Sequence, residues 1–396
     1  MEPLVVTRYT ALTSLGAGIE ALSSGLREGR TGLKPCDFET AAIETYIGEV
    51  AGVAEAPLSG NMVSLDCRNN RLAHLALQLD GFADAVGAAR ERYGARRVAL
   101  VLGTSTSGIL STELAYRRRD SLTGAFPPDF DYEHTHNAFS LARFVARELE
   151  LTGPANVLSA ACATTAKAFA SASRMIASGL CDAAIVGGAD SLTLTTLYGF
   201  RSLELTSDTI CRPYDAARRG ISIGEAAGFA LLERAGAASD KDAPRLMGFG
   251  ESCDAYHMSS PHPEGVGARL AMEQALSAAG LRPADIGYIN LHGTATKAGD
   301  LSEDRAVVSV CGAATRCSST KGATGHTLGA AGIVEAIITI LALRDEHLPG
   351  SATTLEKDPT LTCNFLTEGH DAHVRYAMSN SFGFGGTNCS LIFGRV

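Results

Sequence analysis

Short apolar runs that stop at glycine constrain this chain more than any other feature. Val98-Ala-Leu-Val-Leu102 ends at Gly103, and Ala184-Ile-Val186 ends at Gly187-Gly188. Ile286-Gly-Tyr-Ile-Asn290 and Leu391-Ile-Phe393 have the same character. Such runs lack polar alternation and read as strands buried on both faces. Between them lie alanine-rich stretches of helical length: Arg68 to about Gly87, Ala163 to Gly179, Gly267 to Ala279 and Gly329 to Arg344. The alternation predicts an α/β protein whose sheets carry helices on both sides. At 396 residues the chain can hold a large core or two fused half-domains. The clearest boundary is Gly236-Ala-Ala-Ser-Asp-Lys-Asp-Ala-Pro244, which is small, polar and proline-ended. It gives an N-terminal half, 1–240, and a C-terminal half, 241–396. The polar, proline-bearing stretch from Arg117 to His136 is expected to be a surface excursion.

Composition removes several function classes. Hydrophobic residues make up 45% and charged residues 19%, which excludes a disordered or coiled-coil chain. With 34 basic and 43 acidic side chains the formal charge is −9, a poor balance for a protein whose main partner is nucleic acid. No apolar run approaches the ~20 residues that span a bilayer, and the start, Met1-Glu-Pro-Leu, lacks a signal-peptide pattern. The expectation is a soluble, cytoplasmic protein. Ten cysteines without a CxxC pair argue against a zinc site or a disulfide framework.

Four segments carry the chemistry. In Leu158-Ser-Ala-Ala-Cys162-Ala-Thr-Thr, a cysteine follows a strand-like run and opens a helix, where free N–H groups favour a thiolate. A buried small residue at a tight turn is the plainer reading. In Asn290-Leu-His292-Gly-Thr-Ala-Thr-Lys-Ala-Gly-Asp300, a histidine sits just past a buried strand, where α/β proteins place functional groups. A lone histidine in such a place is more often structural. In Ser319-Thr-Lys321-Gly-Ala-Thr-Gly-His326, a glycine-rich turn leads into the helix bearing Glu335. Its lysine precedes the turn, so this is not a phosphate-binding P-loop. Lys321 reads either as a cavity group beside His326 or as a surface charge paired with Glu335. In Ser379-Asn-Ser-Phe-Gly-Phe384-Gly-Gly-Thr-Asn388, glycines allow close backbone approach to a ligand or make a bulged strand connection.

Taken in this order, the four segments resemble the β-ketoacyl-acyl-carrier-protein synthases, elongating condensing enzymes of the thiolase-like superfamily. Cys211-Arg-Pro-Tyr-Asp215, Gly224-Glu-Ala-Ala-Gly228 and Ser252-Cys-Asp-Ala-Tyr-His-Met258 extend the likeness over nearly the whole chain. The resemblance implies a five-layered αβαβα fold made of two related halves. It implies decarboxylative Claisen condensation of a malonyl thioester with an acyl group held on the enzyme, extending a fatty-acid, polyene or polyketide chain by two carbons. By the same resemblance Cys162 takes the acyl group, His292 and His326 complete a Cys-His-His set, and Lys321 supports it, paired with Glu335. Asp300 and Glu303 brace the loops. Thr294 and Thr296 hold the phosphopantetheine arm. Phe384 gates the acyl pocket and, with Cys162, offers an oxyanion N–H. Thr106 stands where relatives place a bulky pocket residue. No cofactor is required. Asn290, Glu335 and Asn380 surround either a structural monovalent cation or a plain hydrogen-bond network.

The implied partner is acyl carrier protein. Because that protein is acidic, Arg68, Arg71, Arg117, Arg118 and Arg119 are the docking candidates. A homodimer is expected, with a heterodimer containing a chain-length partner as the alternative. Ala295 and Lys297 depart from the serine and proline common in relatives, which puts membership of the core fatty-acid subgroup in question. The rival readings are a thiolase and a non-catalytic chain-length partner. Thiolases use a second cysteine near the C-terminal glycine loop, whereas Cys389 here lies beyond that loop.

Overall fold

The computed structural model describes residues 1–236 and 243–395, so most of the expected boundary segment lies outside the described residues. In the first half the long strands of the main sheet are β1 (Leu4–Thr13), β2 (Val98–Gly103), β3 (Ala155–Leu158), β4 (Ala183–Asp190) and β5 (Ala226–Arg234), with the two-residue strand Gly16–Ala17 paired to β1. In the second they are β6 (Arg245–Cys253), β7 (Ile286–Asn290), β8 (Arg316–Ser318), β9 (Asn364–Phe365), β10 (Tyr376–Gly383) and β11 (Thr387–Gly394). Their hydrogen-bonded orders are β3-β2-β4-β5-β1 and β8-β7-β10-β11-β6, with β9 outside β8.

Both halves run parallel across the first three strands and antiparallel across the last two. The same order with the same directions marks one unit used twice. The halves meet at their equivalent strands, where Leu4 of β1 faces Leu246 of β6 in antiparallel register, as a two-fold relation requires.

Helices complete five layers. α1 (Arg68–Leu77) covers the outer face of the first half. α2 (Thr164–Ala177) and α5 (Ala331–Arg344) pack together between the halves. α3 (Val266–Ala279) and α4 (Lys297–Cys311) cover the second half. In α5 every residue from Ala331 to Leu343 is buried, as expected of a helix that is apolar all round. Gly332 permits the crossing: a Cβ there would sit 2.4 Å from the Ala166 nitrogen of α2. The central layer matters most for function, because Cys162 precedes α2 and Glu335 lies on α5.

One expected helix is two. α1 stops at Leu77, and a second helix runs Phe82–Tyr93. Asp80 and Gly81 break it with φ of 56° and 66°. The Asp80 carboxylate accepts the Thr10 hydroxyl at 2.8 Å and the Ile19 N–H, pinning the break to β1. Of the expected surface excursion, Arg117 to Phe126 is exposed, but Tyr132–His136 forms a helical turn in which Thr135 is buried. Among the described residues no helix is long and apolar enough to cross a membrane.

Candidate active site

Cys162 sits on a tight turn between β3 and α2. Ala161 before it is held at φ 47°, a left-handed conformation that costs a non-glycine residue about 1–2 kcal/mol. The Thr164 hydroxyl ties the turn, accepting the Ala160 N–H at 2.8 Å. Gly383 lies against the turn, where a Cβ would come within 3.1 Å of both the Ala160 carbonyl and the Cys162 nitrogen. Burial pushes the Cys162 thiol up to about 11, against the pull of Lys321 and the Phe384 N–H.

Two imidazoles meet this sulfur. His326 Nε2 lies 3.1 Å from Cys162 Sγ. Its Nδ1 accepts the Leu328 N–H at 3.2 Å, so a neutral ring carries its proton on Nε2. The His292 ring stands edge-on to His326 with centroids 5.4 Å apart. Its Nδ1 is 3.4 Å from Lys321 Nζ, which likewise leaves Nε2–H free. Burial, then Lys321, hold both histidines well below their ordinary pKa, so both are neutral at pH 7. The two rings therefore offer N–H donors without positive charge. The ring nitrogens and the sulfur all lie within 4.8 Å of one another, a spacing a metal could also use. The tautomers disfavour that use, because Nε2–H offers a proton where a metal needs a lone pair.

Lys321 is buried beside Glu335, with which it pairs, and also donates to the His292 carbonyl. Glu303 fixes the loop after β7, accepting the His292 N–H at 2.8 Å and the Gly293 N–H at 2.7 Å. Asp300 accepts the Tyr214 N–H at 2.8 Å and the Ala295 N–H at 3.1 Å. Burial raises all three carboxyls, Glu335, Asp300 and Glu303, to about 7.

Cys162, His292, His326 and Glu303 open onto one cavity of about 510 Å³, lined also by Thr294, Thr296 and Phe384 among others, while Lys321, Glu335 and Asp300 lie behind its wall. The Thr294 and Thr296 hydroxyls are 2.9 Å apart, and Thr296 caps α4 through the Gly299 N–H. Phe200 and Arg218 also line the cavity, and neither stood out in the sequence. No local motif marks Phe200, which arrives from a separate helix, Leu194–Ser202.

Other residues singled out in the sequence lie elsewhere. Thr106 is fully buried with its hydroxyl donated to Asp190 at 2.9 Å, and it is not among the residues lining this cavity. Arg68 was expected on a docking face, but its guanidinium turns inward to the buried Glu225 and to Glu49. Arg71 forms a two-pronged pair with Asp66. Arg117, Arg118 and Arg119 are exposed; Arg118 pairs with Asp129 at 2.9 Å and Arg119 stacks over Tyr116. Asn290 Oδ1 and Glu335 Oε2 are buried oxygens without a partner, as ligands awaiting a small cation would be, whereas Asn290 Nδ2, an N–H donor that no cation satisfies, also lacks one. Asn380 is already engaged with Ser390 and Glu303.

Comparisons with known proteins agree with this geometry. The family model for the beta-ketoacyl synthase N-terminal domain matches residues 1–238, and that for the C-terminal domain matches residues 244–354. The 3-oxoacyl-[acyl-carrier-protein] synthase 2 of Staphylococcus aureus is 37% identical over 262 residues, or 63% of this chain and 65% of that protein. The match thus spans a little under two thirds of that relative's length. A solved structure of the ketosynthase ApeO in complex with its chain length factor ApeC, from Xenorhabdus doucetiae, is 39% identical with a TM-score of 0.90, covering 100% of this chain and 98% of that one. A beta-ketoacyl synthase from Burkholderia phymatum is 29% identical with a TM-score of 0.88, covering 100% of both chains. The chain belongs to the beta-ketoacyl synthase family.

Proposed function

We propose that this protein is an acyltransferase of the β-ketoacyl-acyl-carrier-protein synthase type, which lengthens a fatty-acid, polyene or polyketide chain by two carbons. The observation that carries the reading is a thiol 3.1 Å from one neutral imidazole, with a second neutral imidazole beside it. That set suits a reaction in which negative charge appears first on a thioester oxygen and then on an enolate oxygen.

Cys162 attacks the acyl carbon as its thiolate, the bond from that carbon to the carrier sulfur breaks, and the proton given up by Cys162 ends on the carrier sulfur. The carrier thiol leaves, and the acyl group remains on sulfur. N–H groups of Cys162 and Phe384 are the donors proposed for the tetrahedral oxyanion. A malonyl thioester enters next, its arm held by Thr294 and Thr296. Its C–CO₂ bond breaks, carbon dioxide departs, and the electron pair stays as an enolate whose oxygen takes the Nε2–H groups of His292 and His326. The enolate carbon attacks acyl-Cys162, forming the new C–C bond and freeing the thiolate. No electrons leave the substrates, so the cycle needs no redox cofactor. Lys321 orients His292, Glu335 balances Lys321, and Asp300 and Glu303 brace the loops. A monovalent cation at Asn290 and Glu335 would supply the partners those buried oxygens lack.

The proposed partner is acyl carrier protein, met in the cytoplasm. The exposed Arg117, Arg118 and Arg119 are the proposed docking residues, while Arg68 and Arg71 are proposed to stiffen α1. Assembly is proposed as a dimer. The likeness to a ketosynthase bound to a chain length factor favours a heterodimer as a second reading beside the homodimer.

The test supplies purified protein with acyl and malonyl carrier thioesters and reads products by mass spectrometry. A β-ketoacyl product two carbons longer is expected from the native protein and none from Cys162→Ala. Condensation by Cys162→Ala would remove the reading.

A further inference from the structure

The cavity contains an aromatic contact that the reaction as written does not use. The Phe384 ring lies 5.6 Å from the Phe200 ring, tilted by 39°, and both line the cavity with Cys162. The two rings have different mountings. Phe384 follows Gly383 and precedes Gly385 and Gly386, which sit at φ 77° and 72°. Backbone of this kind changes direction cheaply, here against two bonds of 2.8 Å, from the Gly385 N–H to the Met258 carbonyl and from the Asp254 N–H to the Gly386 carbonyl, while no backbone carbonyl holds the Phe384 N–H. Phe200 rides on the helix Leu194–Ser202, which is tied down at several points. Glu113 accepts the Leu194 and Thr195 N–H groups at 3.0 and 2.6 Å. The Thr193 hydroxyl accepts the Thr196 N–H, and the Tyr198 hydroxyl accepts the Ala42 N–H at 2.9 Å.

From this asymmetry we infer that Phe200 is the fixed stop against which the Phe384 ring closes, a positioning residue that sets how readily bulky groups reach Cys162. The inference rests on Cys162 being the acyl acceptor, but the contact itself can be tested without any thioester. An aromatic pair of this kind stabilises the closed arrangement enough that losing it should change the open population by about three- to tenfold. Leucine at this position would keep apolar contact and part of the effect. Alanine would remove the stop. The Leu205 and Ile221 side chains lining the same cavity would then be free to contact a wider acyl chain.

The experiment follows alkylation of Cys162 by a compact reagent, iodoacetamide, and a bulky one, an N-aryl maleimide. Peptide mass mapping separates Cys162 from the exposed Cys253. In Phe200→Ala the bulky reagent is expected to react about three- to tenfold faster than in the native protein, with a smaller gain for iodoacetamide. Phe200→Leu should fall between the two, and because it keeps the packing it serves if the alanine variant unfolds. In a Phe384→Ala background, Phe200→Ala should add nothing. Unchanged rates in both Phe200 variants, or an equal gain with Phe384 already removed, would overturn the inference. Loss of acylation by thioesters with this alkylation pattern intact would instead count against the proposed reaction.

Discussion

Replacing Lys321 by methionine separates what this buried ion contributes to stability from what it contributes to chemistry. Lys321 is 1% exposed and Glu335 3% exposed. Even with the ammonium beside it, burial takes the Glu335 carboxyl from its ordinary 4.5 to about 7. At 1.36 kcal/mol per pH unit this is about 3 kcal/mol against the charged form. Removing the cation leaves an uncompensated buried carboxylate, a change that typically costs about 3–5 kcal/mol. The carboxyl escapes part of that cost by taking a proton. Its folded-state pKa lies above its unfolded value, so the folded state binds more protons in that interval and stability falls as pH rises. The fall begins near 4.5 and, in Lys321→Met, extends past 7. The variant should therefore be markedly less stable at pH 8.5 than at pH 6 by urea denaturation. Lys321→Met with Glu335→Leu removes both charges and should return to within about 1 kcal/mol of the native protein, with little pH dependence. That double variant should still condense about 10²-fold more slowly, because His292 Nδ1 has lost the donor that fixes its tautomer. A single variant equally stable at both pH values, or native turnover in the double variant, would refute the reasoning.

Three further outcomes follow from the same geometry. With the Cys162 thiol pushed up to about 11, iodoacetamide labelling at Cys162 should rise nearly tenfold per pH unit from pH 7 to 9.5, as the thiolate fraction grows; a plateau by pH 8 would contradict it. His326→Ala removes the donor 3.1 Å from the sulfur and should lower turnover by about 10²–10³, measured as β-ketoacyl product formed. Arg68→Met breaks the pair with buried Glu225 and should cost about 3–5 kcal/mol in urea denaturation, leaving KM for a carrier-bound substrate unchanged; a raised KM with native stability would restore Arg68 to a docking face.

Much of this arrangement was legible in the chain because its signals are local. Ile286–Asn290 is a strand end to end, and Ala163 to Gly179 differs from α2 only at its frayed ends. The four segments singled out for chemistry do meet at one cavity, because each lies at or just past a strand end of the duplicated sheet. Long-range partners left no such trace. The inward turn of Arg68 depends on Glu225, 157 residues away, whereas its candidacy for a docking face rested only on its charge and an acidic implied partner. The break after α1 depends on Asp80 reaching Thr10, which no periodicity announces. Phe200 reaches the cavity only through the fold, and the engagement of Thr106 with Asp190 is likewise a tertiary contact.

The most direct test of the central claim is to load the protein with an acyl carrier thioester, map the acylated peptide by mass spectrometry, and chase with malonyl carrier thioester. The acyl mass should sit on the Cys162 peptide and disappear at the rate at which the product two carbons longer appears. An acyl group on any other residue, or one that persists on Cys162 while product accumulates, would contradict the account.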